Sequence, residues 1–158
     1  MQKYFDAEKA GGLLLAVLGI AGLCLASYLW LGRSSFKAMA WPLIVIGLIE
    51  VGIGVGLAIR TGPQVQALEA GLQDTRQQTA ASEIQRMSRV NRSFRVIIRV
   101  VIVVMVAGAL VAFVLRGTNL DWTAVSLGLV LQAAILLAFD VFAEQRAHGY
   151  VRWLETLQ

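Results

Sequence analysis

Four apolar runs of about 20 residues each constrain this 158-residue chain more than any other feature. They cover residues 11–31, 38–59, 96–115 and 122–143. As α-helices, which rise about 1.5 Å per residue, runs of this length cross about 30 Å of hydrocarbon. Strands with an open edge would leave backbone groups unpaired in lipid, and no run shows the alternation of a membrane barrel. The sequence therefore predicts an all-α integral membrane protein with four transmembrane helices.

The lengths of the connections predict how these helices pair. Only six residues, 32–37, separate the first two spans, and six, 116–121, separate the last two. Such short links predict two antiparallel hairpins. By contrast, 36 residues, 60–95, lie between the second and third spans, and a tail of residues 144–158 follows the fourth. We expect a single membrane domain, its hairpins joined by a cytoplasmic helical segment.

The distribution of lysine and arginine predicts the orientation, because cytoplasmic flanks retain an excess of positive charge. Eleven of the 14 basic residues fall on the side that holds the termini and the long connection, and three fall on the other: Arg33, Lys37 and Arg116. Tyr28, Trp30, Trp41 and Trp122 map to that second side, as interfacial aromatic residues would. We therefore expect a multi-pass protein of the cytoplasmic (inner) membrane with both termini in the cytoplasm.

The long connection carries signals for two separate helices. Thr61, Gly62 and Pro63 predict the end of the second span and the start of a new helix over about residues 64–78. Ser82 and Gln85 resemble a capping box, which predicts another helix start and a helix over about 82–95 that continues into the third span. An apolar stripe predicts that the tail covers the cytoplasmic surface on which these two helices lie. The members of this stripe are Phe142, Tyr150, Trp153, Leu154 and Leu157.

Glu50 is the polar residue whose position is hardest to explain. It lies near the middle of the second span, where an acidic side chain costs roughly 2.5–3.5 kcal/mol on insertion scales. Gly47 and Gly54 share its helix face, so another helix can approach closely. Gln132, central in the fourth span, is a suitable hydrogen-bond partner for a protonated Glu50. Two hypotheses stay open: an interhelical hydrogen-bond clamp, or a proton or cation site.

Charged residues near the inner ends of the spans suggest two further features. Arg99 and Asp140 fall at similar depth, which predicts an ion pair that docks the second hairpin. A basic run precedes Arg99 and consists of Arg86, Arg89, Arg92 and Arg95. Anionic lipid attracts such residues by about 1 kcal/mol each. This run is either a signal of topology alone or a surface for anionic lipid or a protein partner.

The sequence lacks the residues that several classes of function require. His148, the sole histidine, has no clustered cysteine or acidic ligands, so the sequence predicts no metal site. There is no phosphate-binding loop and no nucleophile with a base at one depth, so we expect neither an enzyme nor a cofactor. The basic residues lie where topology requires them, which disfavours nucleic acid as a partner despite a net charge of +4.

These patterns favour an interaction protein that binds another membrane or membrane-acting protein, or that forms a homo-oligomer within the bilayer. One version is an immunity protein against a toxin that acts at the membrane, and another is an accessory subunit. The alternative is a small transporter or channel coupled to protons or cations through Glu50.

Overall fold

A computed structural model describes residues 2–32 and 34–156. Within these ranges the chain forms four α-helices: α1 (Gln2–Leu31), α2 (Ala40–Asp74), α3 (Arg76–Leu115) and α4 (Leu120–Glu155). A short 3₁₀ helix, Lys37–Met39, precedes α2. Each α-helix is long and apolar enough to cross a membrane. The all-helical prediction is therefore confirmed, and Arg33 and Leu157 lie outside the described residues.

The second helix does not end at Thr61-Gly62-Pro63, so this part of the prediction is wrong. α2 continues through Pro63 to Asp74. Proline removes the backbone N–H that would bond to the Ile59 carbonyl four residues earlier. Gly62 has open space around its Cα, so solvent can reach this turn. The next turns pack Leu68 into a buried cluster, and this packing keeps the segment helical.

The third helix also starts earlier than predicted. α3 begins at Arg76, directly after the single non-helical residue Thr75, and not at Ser82. Ser82 lies within α3, where its hydroxyl donates to the Thr79 carbonyl. Thr79 in turn donates to the Gly71 carbonyl at 2.9 Å, which ties the start of α3 to the end of α2. The predicted continuation of the helix over about 82–95 into the third span is therefore confirmed, and the predicted helix over about 64–78 is an extension of α2 and not a separate element.

Glycines bring α1 and α2 into backbone contact. Gly12 lies against Gly54 and Gly19 lies against Gly47, so residue numbers rise along one helix as they fall along the other. A Cβ atom on Gly19 would lie 2.6 Å from the Gly47 carbonyl oxygen. Such close approach is how helices associate in lipid, where the hydrophobic effect does not drive them together.

At the end of the molecule that holds the two short connections, α4 packs against the start of α2. Gly128 of α4 contacts Met39 and Pro42. The Asn119 side chain caps α4 by accepting from the Trp122 backbone N–H at 3.1 Å. Trp30 and Trp41 make an edge-to-face contact here, with ring centroids 5.5 Å apart. This end of the bundle is thus fixed by small residues and aromatic rings.

At the opposite end all four helices extend beyond the predicted spans and form a packed cluster, which we call the cap. Its buried members come from every helix: Phe5, Leu68, Met87, Ala147, Tyr150 and Leu154. Tyr4 stacks on Tyr150 with centroids 4.2 Å apart, and Tyr150 stacks on Trp153. Phe142, by contrast, is 63% exposed and does not join the tail stripe predicted with it.

Candidate functional site

Glu50 of α2 and Gln132 of α4 meet in the interior of the bundle. The Gln132 side-chain N–H₂ donates to Oε2 of Glu50 at 3.5 Å. Both side chains are fully enclosed, Glu50 at 0% exposure and Gln132 at 1%. The two residues that the sequence suggested as partners are therefore neighbours in the fold.

The surroundings of Glu50 leave one carboxyl oxygen without a partner. Oε1 makes no hydrogen bond to any described residue, although it is inaccessible to solvent. The Glu50 Cβ approaches Gly19, and Gly22 lies close to the Gln132 amide, so glycines of α1 supply the space for both side chains. A buried oxygen of this kind can accept a hydrogen bond, carry a proton or bind a cation.

The structure does not bring Arg99 and Asp140 together. No ion pair joins them within the described ranges, where the salt bridges made by arginine are Arg60–Glu8 and Arg86–Glu83. Similar depth did not predict contact between the two side chains, because residues at the same depth can point from different faces of their helices. Ile97 and Val101 of α3 line the same cavity as Asp140. Arg99 lies half a turn from both of them and is exposed.

Asp140 instead lines a cavity of about 550 Å³ that all four helices bound. We call this cavity the groove. Its apolar walls include Leu15, Ile53, Ile97 and Leu136. Its volume and lining are typical of small-molecule sites, which are mostly apolar and carry a few polar groups.

The arginines of the basic run fall into two environments. Arg86 makes paired hydrogen bonds to Glu83, with its Nε and Nη2 atoms 2.8 and 2.7 Å from the carboxylate oxygens. These bonds raise the pKa of Arg86. Arg89, Arg92 and Arg95 are exposed and have no ion pair among the described residues. Arg86 therefore packs at the cap, while the side chains of the other three are exposed.

A polar network in the cap was missed by the sequence analysis. Tyr150 donates its hydroxyl proton to Glu83 at 3.3 Å. Burial, together with the nearby Glu83 carboxylate, raises the pKa of Tyr150, and burial beside Glu8 raises the pKa of Tyr4 to about 12. Asn91 is also buried in α3, with its Oδ1 unpartnered by any described residue. Glu83 and Asn91 sit on the apolar face of a basic segment, which is the signal that could have identified them.

Comparison with known proteins gives no match to a family model, a curated protein or a solved structure.

Proposed function

We propose that this chain is a multi-pass protein of the cytoplasmic membrane, with two antiparallel hairpins and both termini inside, that binds another membrane or membrane-acting protein. An immunity protein against a membrane-targeting toxin and an accessory subunit of a membrane complex both fit this description. The excess of lysine and arginine at the end of the molecule that holds the cap supports a cytoplasmic location of that end, because positive charge collects on the cytoplasmic face.

One exposed face of α3 carries the proposal. Eight residues recur along it at alternating spacings of three and four, and all of them are exposed: Arg89, Arg92, Val96, Arg99, Val103, Val106, Leu110 and Phe113. Spacing of this kind is typical of a seam that packs against another helix. We call these residues the α3 face.

The composition of the α3 face indicates what it would bind. Its outer part is apolar, with Val103 at 66% and Leu110 at 60% exposure, and its inner part is basic. The predicted span of α3 is also the least buried of the four. Lipid alone would cover the apolar part, but the basic residues continue at the same spacing. A partner helix with an apolar span and an acidic inner end would complement both parts.

Site-specific photo-crosslinking in cells tests the proposal. A photo-reactive residue at Val103 should give a discrete adduct with one other protein, and the same residue at Val45 of α2, which is 53% exposed, should not. Adding Arg92→Glu should weaken the adduct at Val103. Lipid adducts alone at Val103, Val106 and Leu110 would contradict the proposal, as would adducts that join only two copies of this chain.

A second candidate function is transport coupled to protons or cations through Glu50. The observation that favours it is the unpartnered Oε1 of a fully enclosed carboxyl group. Glu50→Gln keeps the shape of the side chain and removes its acidity. A coupled transporter would lose flux in this variant while remaining folded, as measured in proteoliposomes. A hydrogen-bond clamp would retain its function or lose stability.

A further inference from the structure

We infer that the groove binds an amphipathic organic cation, with the Asp140 carboxylate as counter-ion and apolar walls around the body of the ligand. This site is separate from the α3 face. Phe94, Ile97 and Val101 point into the groove from one side of α3, and the α3 face lies on another.

The fold explains why a groove exists at this position. On either side of the groove the helix pairs α1–α2 and α3–α4 are held together, by the Glu50–Gln132 contact on one side and by the cap on the other. Between these levels, α4 residues from Leu136 to Arg146 face α2 residues from Ile49 to Arg60 across open space. Ile49 and Ile53 are about half exposed, at 52% and 49%, because no helix packs over them. The space is therefore built into the bundle.

The charges around the groove select a cation. Arg60 pairs with Glu8 at 3.5 Å, and Arg146 donates to the Ala7 carbonyl at 3.2 Å. Asp140 makes no hydrogen bond or ion pair with any residue in the described ranges. Asp140 is therefore the charged side chain lining the groove that has neither an ion pair nor a hydrogen bond among the described residues, whereas Arg146 has a hydrogen bond but no ion pair.

Distance limits the opposing effect of Arg146. Its backbone lies six residues beyond that of Asp140 on α4, an offset of about 9 Å along the helix axis at about 1.5 Å per residue, and its guanidinium is directed to the Ala7 carbonyl. A cation in contact with the Asp140 carboxylate would be about 4 Å from that charge. Arg146 makes no salt bridge with Asp140, and its guanidinium is held at the Ala7 carbonyl, so a cation in contact with the Asp140 carboxylate is closer to that charge than to Arg146 and the attraction is the stronger of the two.

Aromatic rings add a second feature that favours a cation. Phe94, Phe139 and Tyr4 all line the groove. The face of such a ring attracts a cation within about 6 Å of its centroid. One face of Tyr4 is already stacked on Tyr150, which leaves Phe94 and Phe139 as the rings for a ligand. A carboxylate with two such rings in an apolar cavity suits a delocalised or alkylated ammonium or phosphonium ion better than a hydrated metal ion.

Binding of tetraphenylphosphonium to the purified full-length protein in detergent tests the inference, with tetraphenylborate as a probe of matched shape and opposite charge. Isothermal titration should show at least about tenfold tighter binding of the cation, since one well-placed charge contact changes affinity by that order. Asp140→Asn should abolish this preference. Asp121→Asn, the same change at an exposed position of α4, should leave it intact.

A second pair of variants tests the cavity itself. Gly56 lines the groove, and neither Gly56 nor Gly52 of the same helix has an atom within 4 Å of an added Cβ. Gly56→Leu should fill the groove and weaken cation binding at least tenfold, and Gly52→Leu should not. These variants keep the test decisive if Asp140→Asn fails to fold.

Three outcomes would overturn the inference. They are equal binding of the two probes, unchanged cation binding in folded Asp140→Asn, and unchanged cation binding in Gly56→Leu. A phospholipid that co-purifies and is released by Arg60→Gln but not by Asp140→Asn would assign the groove to an anionic headgroup instead. Loss of the partner adduct at Val103 would leave this inference unaffected, because the α3 face and the groove share no residue.

Discussion

Gln132 of α4 donates to Oε2 of Glu50 in α2 at 3.5 Å, although the two residues are 82 positions apart in the sequence. This distance is long for an N–H···O hydrogen bond, so the contact is a weak one by geometry. Its importance lies in burial, since neither side chain reaches solvent. Without Gln132, neither carboxyl oxygen of Glu50 would have a hydrogen-bond partner among the described residues.

Gln132→Ala should therefore destabilise the protein by about 1–2 kcal/mol, because it leaves a buried carboxyl group unsatisfied. Thermal unfolding in detergent would measure the change. Gln78→Ala, at an exposed position of α3, is the matched control and should have little effect. The double variant Glu50→Leu with Gln132→Leu should recover much of the loss. No recovery would show that the Glu50 carboxyl group itself stabilises the fold.

Glycine substitutions in α2 should separate packed positions from open ones. A Cβ at Gly54 would contact the Gly12 carbonyl oxygen and lie 2.7 Å from the Ala16 nitrogen, both of which are backbone atoms. Gly54→Ala should therefore cost about 1–3 kcal/mol, since the helices must move apart. Gly52→Ala meets no neighbour and should be neutral or stabilising by up to about 1 kcal/mol. Equal melting temperatures for the two variants would contradict the close contact.

The cap should lose stability at alkaline pH. Burial raises the pKa of Tyr4 to about 12 from an ordinary value of 10.0, and it also raises the pKa of Tyr150. Below pH 10 both phenols are neutral in the folded and unfolded states, so their contribution is fully present. As pH rises from 10 towards 12, the unfolded chain ionises first, and stability falls.

Melting temperature measured against pH would check this expectation. Tyr4→Phe should flatten the decline between pH 10 and 12. Tyr28→Phe, at a position 74% exposed and far from the cap, is the control and should leave the decline unchanged. A decline of the same size in wild type and Tyr4→Phe would count against a buried Tyr4.

Neutral replacements in the basic run should distinguish its two environments. Arg86→Gln removes the paired bonds to Glu83, which also accepts from Tyr150, and should destabilise the cap by about 0.5–1 kcal/mol, since Arg86 is partly exposed. The Arg89 side chain makes no hydrogen bond or ion pair with any described residue, so Arg89→Gln should change stability by less than about 0.5 kcal/mol. Chemical denaturation measures the free energy of unfolding of both variants. A larger loss of stability for Arg89→Gln than for Arg86→Gln would contradict the placement of Arg86 at the cap and of Arg89 outside it.

The apolar pattern was enough to predict the helical class and the four long helices, because lipid-length runs leave few alternatives. The neighbours Glu50 and Gln132 were also predictable, since both are polar and central in apolar runs. The continuation of α2 through Pro63 was not predictable, because the local sequence indicates a helix break. The helix continues because Leu68 packs in the cap. Depth in the membrane alone could not show whether Arg99 and Asp140 are neighbours. Which face of α3 meets α4 depends on helix rotation, and depth does not determine that rotation.

The glycine contacts between α1 and α2 have a consequence for biosynthesis. All four glycines, residues 12, 19, 47 and 54, precede α3 in the chain, so these two helices can associate while the ribosome is still translating α3. Gln132 emerges much later. A nascent or truncated chain that lacks α4 therefore carries Glu50 without its hydrogen-bond donor.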